Sequence, residues 1–159
     1  MKITNKYVFF WNGIYSQWYE APMTIDGILY NCCEQYMMHQ KALFFNDTDT
    51  AEKIMLTSHP RDQKQLGREV KNFNVDEWSK VNLGFVYKGN LAKFTQNEIL
   101  KNELLSTGNK LLVEASPYDQ IWGIGMGVEE EGNEDPINWK GQNLLGWAIT
   151  LVKQELQNI

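Results

Sequence analysis

The 159-residue chain is poor in cysteine, histidine and proline, with two, two and four of each. The cysteines, Cys32 and Cys33, are neighbours. A trans peptide holds their Cα atoms about 3.8 Å apart, closer than disulfide geometry prefers, so a disulfide framework is excluded. The histidines, His39 and His59, cannot form a metal site without carboxylate help, and each reads as a surface or capping residue. There is no apolar run of about 18 residues to cross a bilayer. The opening apolar stretch 7–11 is cut short by Asn12-Gly13, too early for a signal-peptide core. These absences predict a cytoplasmic, reduced protein with no membrane association. No internal repeat, low-complexity tract or Pro/Ser-rich linker interrupts the chain, which predicts one domain over 1–159. A Walker loop and a nucleophile elbow are also missing, and neither a cofactor nor a metal is expected. Fifteen basic against twenty acidic residues leave a net charge of -5, which argues against general affinity for nucleic acid.

What is present is ordinary in bulk, 43% hydrophobic and 22% charged, as in a soluble globular domain. Aromatic residues are plentiful, with six Trp, seven Tyr and seven Phe, enough to supply a site that stacks on flat rings. The first thirty residues read as extended, with Asp26-Gly27 as a hairpin turn between β-prone residues. Helical patterns follow at 32–45, 48–57, 61–71, 76–90, 96–107 and 143–157, interrupted by one apolar extended run at 111–115. The expected fold class is therefore mainly α with a small β component. Thr48 and Asp76 read as N-caps, and Gly108 as the αL residue that ends a helix. The acidic stretch 129–135 reads as a solvated loop without EF-hand spacing.

Three constellations could carry chemistry. Stepped at about 100° per residue, the helix starting at Cys33 places Glu34, Met38, Lys41 and Phe45 in one stripe. Two ionisable groups in an apolar face, about 10 Å apart along the axis, must pair elsewhere, reach the rim, or line a pocket. In a pocket, desolvation would lower the pKa of Lys41 toward a nucleophilic amine and raise that of Glu34 toward acid–base work. The second constellation is Arg61, Lys64, Arg68 and Lys71 on one helical face, either a solvated surface or a phosphate site in which Arg68 supplies a guanidinium fork. In the third, Asp119 lies close to Trp122, Gly123, Gly125 and Gly127 after the extended run, as turn chemistry or as a nucleoside pocket of carboxylate, aromatic plate and backbone amides. The glycine spacing lacks the strand–turn–helix context of a Rossmann fingerprint. Cys32 and Cys33 at a helix N-terminus could have a lowered pKa, yet no histidine stands where a thiol enzyme needs one.

Taken in order, several motifs resemble the NADAR, or YbiA-like, family: Glu34-x-Tyr36-Met37 leading to Gln40-Lys41-Ala42, Leu66-Gly67-Arg68, Trp78, Lys93-Phe94-x-Gln96-Asn97, Leu104-Leu105-x-Thr107-Gly108, the stretch 112–125, and Trp139-x-Gly141-x-Asn143-x-Leu145-Gly146. The resemblance implies a compact, mostly helical domain that hydrolyses N-glycosidic bonds. Relatives act on ribosylated pyrimidine intermediates of riboflavin biosynthesis. Others remove ADP-ribose from modified guanine in nucleic acid, so both a small ribosylated molecule and an ADP-ribosylated nucleic acid are implied partners. It also implies catalytic roles for Glu34, Lys41 and Asp119 and substrate contacts from Arg68, Trp78, Trp122, Gly123 and Gly125. The chain departs from the family pattern at Gln35, where His is usual, at Asn82, where Arg is usual, and at Gln17-Trp18, where Asn-Phe is usual. Attack at the anomeric carbon by Lys41 or by water are both open at this level. A non-catalytic module binding ADP-ribose or NAD would keep Arg68 and Trp122 but has no need for both Glu34 and Lys41 on an apolar face.

Overall fold

Asp26 and Gly27 both adopt positive φ, 52° and 81°. They close the hairpin of β3 (Met23–Ile25) and β4 (Ile28–Tyr30), as Asp-Gly chemistry predicts. This comes from a computed structural model of the chain, which describes residues 1–158. The remaining elements are β1 (Lys2–Ile3), β2 (Tyr7–Phe10), α1 (Cys33–Phe44), α2 (Thr48–Met55), α3 (Pro60–Arg68), α4 (Val75–Ser79), α5 (Asn82–Gln96), α6 (Glu98–Ser106), β5 (Leu111–Glu114) and α7 (Leu144–Gln157). Helices dominate, and the strands are short. The chain groups into two compact units, Met1–Ser16 with Glu98–Ile159, and Gln17–Asn97.

In the first of these units, β2 is the middle strand of the order β1-β2-β5, antiparallel to β1 and parallel to β5. A central strand is covered on both faces, which is why Val8, Phe9 and Phe10 are all buried without alternation. Phe9, Val113, Ala115, Ile124 and Met126 form its core. The start of α7 is clamped to β5 by side chains that imitate a strand partner. Asn143 accepts from the N–H of Glu114 (2.9 Å) and donates to the C=O of Leu112 (3.1 Å), while Thr150 Oγ1 accepts from the N–H of Leu112 (3.1 Å). Gly146 makes that approach possible, since an added Cβ would lie 2.1 Å from the Leu112 carbonyl oxygen. Backbone cannot step aside there. Gly146→Ala should lower stability by about 1–3 kcal/mol, and an unchanged denaturation midpoint would show that helix and strand are not held this closely.

In the second unit, α1 packs against α2, α3, α5 and β4. It is consequently buried on all sides from Cys33 through His39, beyond the single stripe expected from periodicity, while Leu43 and Phe44 at its end stay exposed. His39, expected at the surface, is buried and shares a 2.8 Å hydrogen bond with the hydroxyl of Tyr30. His59 does cap, accepting the N–H of Arg61 at 3.2 Å to open α3. Two expected caps shift. Asp47, not Thr48, opens α2: its Oδ1 accepts from Thr50 N–H (3.1 Å) and its Oδ2 from Lys71 N–H (2.9 Å), which holds the carboxyl down to about 2. Asn74, not Asp76, opens α4 through the N–H of Glu77. The helix expected over 76–90 divides into α4 and α5, and α3 ends at Arg68, leaving Lys71 off the basic face. Gly108, at φ 59°, follows α6 as expected.

Candidate active site

The chemistry-bearing residues of the Gln17–Asn97 unit meet where α1 and α3 cross. Gly67 allows the crossing, since a Cβ there would reach within 2.0 Å of Met38 Sδ. Glu34, 6% exposed, lies in the first turn of α1, where the helix dipole favours a carboxylate. Lys41 follows two turns later, half-buried, with its Nζ 4.4 Å from the centroid of the Phe73 ring. Burial pushes the Lys41 amine below the ordinary lysine range; the Glu34 carboxylate opposes that shift, and the Arg68 guanidinium adds to it. Lys41 thus feels both the Glu34 carboxylate and the Arg68 guanidinium, although α3 carries Arg68 on its exposed side. A desolvated amine, a buried carboxylate and a solvent-facing guanidinium in one neighbourhood can provide a nucleophile, a proton donor or acceptor, and an anion anchor.

Trp78 is 7% exposed, stacked on Phe85 at 5.7 Å with Phe44 and Phe45 at its edges. It forms an aromatic wall, while the more exposed rings of Phe44 and Phe73 face solvent. Asn82 is buried at the start of α5. Gln35 is absorbed by structure: its Oε1 accepts the N–H of Asn31 (2.8 Å), and its Nε2 donates to the carbonyls of Ile54 and Thr57. Cys32 donates to Gln63 Oε1 at 3.2 Å, and burial pushes the thiols of Cys32 and Cys33 up to about 11 and about 12, so neither is a thiolate at neutral pH. A recess of about 280 Å³ lined by Tyr30, Asn31, Met55 and Ser58 contains none of the expected site residues.

Asp119, Trp122, Gly123 and Gly125 belong to the other unit, and there the turn reading accounts for most of their features. Asp119 Oδ1 accepts the N–H groups of Ile121 (2.9 Å) and Trp122 (2.8 Å). Gly125, at φ 69°, donates its N–H to the Asp119 carbonyl. A Cβ on Gly123 would stand 2.9 Å from the Glu114 carbonyl oxygen, and one on Gly141 2.3 Å from that of Gly123. These glycines serve close backbone packing, and the Gly125 amide expected to face a ligand is used inside the turn. Trp122 is half-exposed. Sequence reasoning had no signal for Asn90 and marked Gln17 only as a departure from the family pattern; the fold brings both beside the first turn of α1.

Residues 9–157 match the model of the NADAR domain. An N-glycosidase of Acanthamoeba polyphaga mimivirus is 42% identical, over 97% of this chain and 98% of that protein. A riboflavin biosynthesis protein of Vibrio vulnificus is 28% identical over 92% of this chain, which spans 36% of that longer relative. The NMR structure of the E. coli protein YbiA has a TM-score of 0.80 at 26% identity, covering 99% of this chain and 88% of its own. One family model runs through both compact units, and a relative aligned almost end to end shares two residues in five; the chain belongs to the NADAR domain family.

Proposed function

We propose that this N-glycosyl hydrolase cleaves the bond between the anomeric carbon of a phosphorylated ribose and the nitrogen of a base or amine. The observation that supports the reading most is the placement of buried Glu34 and half-buried Lys41 on one helix, the lysine feeling both that carboxylate and the Arg68 guanidinium. Neutral Lys41 attacks the anomeric carbon and the C–N bond electrons pass to the departing nitrogen; the Glu34 carboxylate takes one proton from the attacking amine and hands it to that nitrogen. The remaining N–H proton then passes to the ring oxygen as the C–O bond breaks, which opens the ring and leaves an imine on Nζ. Water hydrolyses the imine, restoring the amine and releasing the sugar. Arg68 anchors the phosphate from the exposed side.

The name of the Vibrio relative supports a ribosylamino-pyrimidine as substrate, and the net charge of -5 favours a free small molecule over a base carried in nucleic acid. Incubation with the phosphorylated ribosylamino-pyrimidine and, separately, with DNA carrying ADP-ribosylated guanine tests this, with released sugar followed by mass spectrometry. Release from the small molecule alone is expected. Release only from the modified DNA would overturn the substrate, and release from neither would overturn the activity. Arg68→Ala should weaken binding of the phosphorylated substrate by about 1.5 kcal/mol, the low end for a charge-assisted bond because the side chain is exposed. The dephosphorylated analogue should be nearly indifferent; an equal loss for both in calorimetry would remove the phosphate role.

A further inference from the structure

Asn90 on α5 is completely buried, and its Nδ2 donates both to Gln17 Oε1 (2.8 Å) and to the carbonyl of Val86 one turn earlier (2.8 Å). The carbonyl of Gln17 in turn accepts the N–H of Glu34 at 3.0 Å. A continuous line of hydrogen bonds therefore runs from the middle of α5 to the backbone of the residue that carries the buried carboxylate. The same face of α5 touches that turn directly, since a Cβ on Gly89 would lie 3.0 Å from the Tyr36 ring and 3.9 Å from Cys33 Sγ. One turn further on, Lys93 is also completely buried, 5.5 Å from the centroid of the Tyr19 ring. Segment 17–19 is thus held from α5 at two points.

The amide pair is a poor choice for stability alone. Gln17 Nε2 and Asn90 Oδ1 are buried and have no hydrogen-bond partner among the described residues. Each such group bears the desolvation penalty of a buried polar atom left unpaired, whereas an apolar pair of the same shape would pack without it. What the amides provide and an apolar pair cannot is direction, because a hydrogen bond fixes both distance and angle. We propose that the Gln17–Asn90 bridge is a positioning device that fixes the first turn of α1, and with it the Glu34 carboxylate, against the Lys41 amine. The inference rests on the proposed catalytic role of Glu34. The length of the Gln17 arm is what brings its Oε1 within 2.8 Å of Asn90 Nδ2.

Turnover of the phosphorylated ribosylamino-pyrimidine by the full chain tests it. Asn90→Leu, the apolar shape analogue, and Gln17→Asn, with its arm one methylene shorter, should each lower kcat by about 10²-fold, the scale of a misplacement of about 1 Å at a reacting group. KM should move by less than about threefold, because neither residue touches the phosphate anchor. The double variant Gln17→Asn with Asn90→Gln transfers the methylene across the bridge and should recover most of the lost kcat. Melting is followed alongside. A purely structural pair would lower kcat only in step with melting temperature and would show no rescue. Either single variant with kcat within about twofold of the parent, or a double variant as poor as the singles, overturns the proposal. Should Asn90→Leu fail to fold, Gln17→Asn and the double variant decide on their own. Glu34→Gln is assayed in parallel. If it turns over normally, the catalytic role of Glu34 and the bridge fall together; if it is inactive while the bridge variants are normal, only the bridge falls.

Discussion

Glu34→Gln should lower turnover by about 10²–10⁴-fold while moving the melting temperature by no more than about 4 °C. The two expectations have separate causes. Gln is nearly isosteric with Glu, and the contact tying this position to the Gln17 carbonyl is made by backbone N–H, which the substitution leaves in place. What the fold loses includes the attraction between a carboxylate and the N-terminal end of α1, about 0.3–1 kcal/mol, and its pull on the Lys41 amine. What catalysis loses is larger: the group that stabilises positive charge at the anomeric carbon and passes a proton to the departing nitrogen. Parallel thermal melts and rate measurements separate the two. If activity and stability fall together, Glu34 is a packing residue, and the acid–base assignment is wrong.

Borohydride added during turnover should trap a sugar on Lys41, and Lys41→Arg should abolish both the adduct and, by about 10³-fold or more, the turnover. An imine forms only from a neutral amine, and burial lowers the pKa of this lysine with help from Arg68, against the opposing pull of Glu34. The Phe73 ring, 4.4 Å from Nζ, favours the charged form and limits how far that shift can go. Adduct yield should therefore rise with pH and do so below the pH range of an ordinary lysine. Arg at this position keeps the charge and the ring contact but offers no nucleophilic amine, so the fold should survive. Lys93 is the control: it is also a lysine of lowered pKa, but it is enclosed in α5 without exposed surface. A peptide map placing the adduct on Lys93, or a Lys41→Arg protein of near-normal turnover, would return the mechanism to direct attack by water.

Elements governed by local chemistry were legible in the residues. Asp26-Gly27 encodes its turn because both positions tolerate positive φ, and Gly108 ends α6 for the same reason. The apolar run at 111–115 reads as extended and forms β5 over Leu111–Glu114, and seven-residue spacing puts Glu34 and Lys41 on one side of α1. The family resemblance, carried by motifs spread over most of the length, is likewise a property of the linear chain, and it is shown by the match over 9–157.

Only the tertiary structure could decide the rest, because it depends on partners distant in the chain. Parallel pairing of β2 with β5 joins residues about a hundred positions apart, and no local pattern in either strand names the other. α1 looks one-sided by periodicity yet is enclosed through its first seven residues, since four elements pack around it and even His39 and Gln35 find buried partners. The glycines after Asp119 suggest amides open to a ligand, whereas the fold places carbonyls within 3 Å of where a Cβ would stand at Gly123 and at Gly141. Nor does anything in the sequence near Gln17 point to Asn90. A 2.8 Å hydrogen bond across 73 residues is a fact about how α5 crosses the start of α1, and it exists only once the chain has folded.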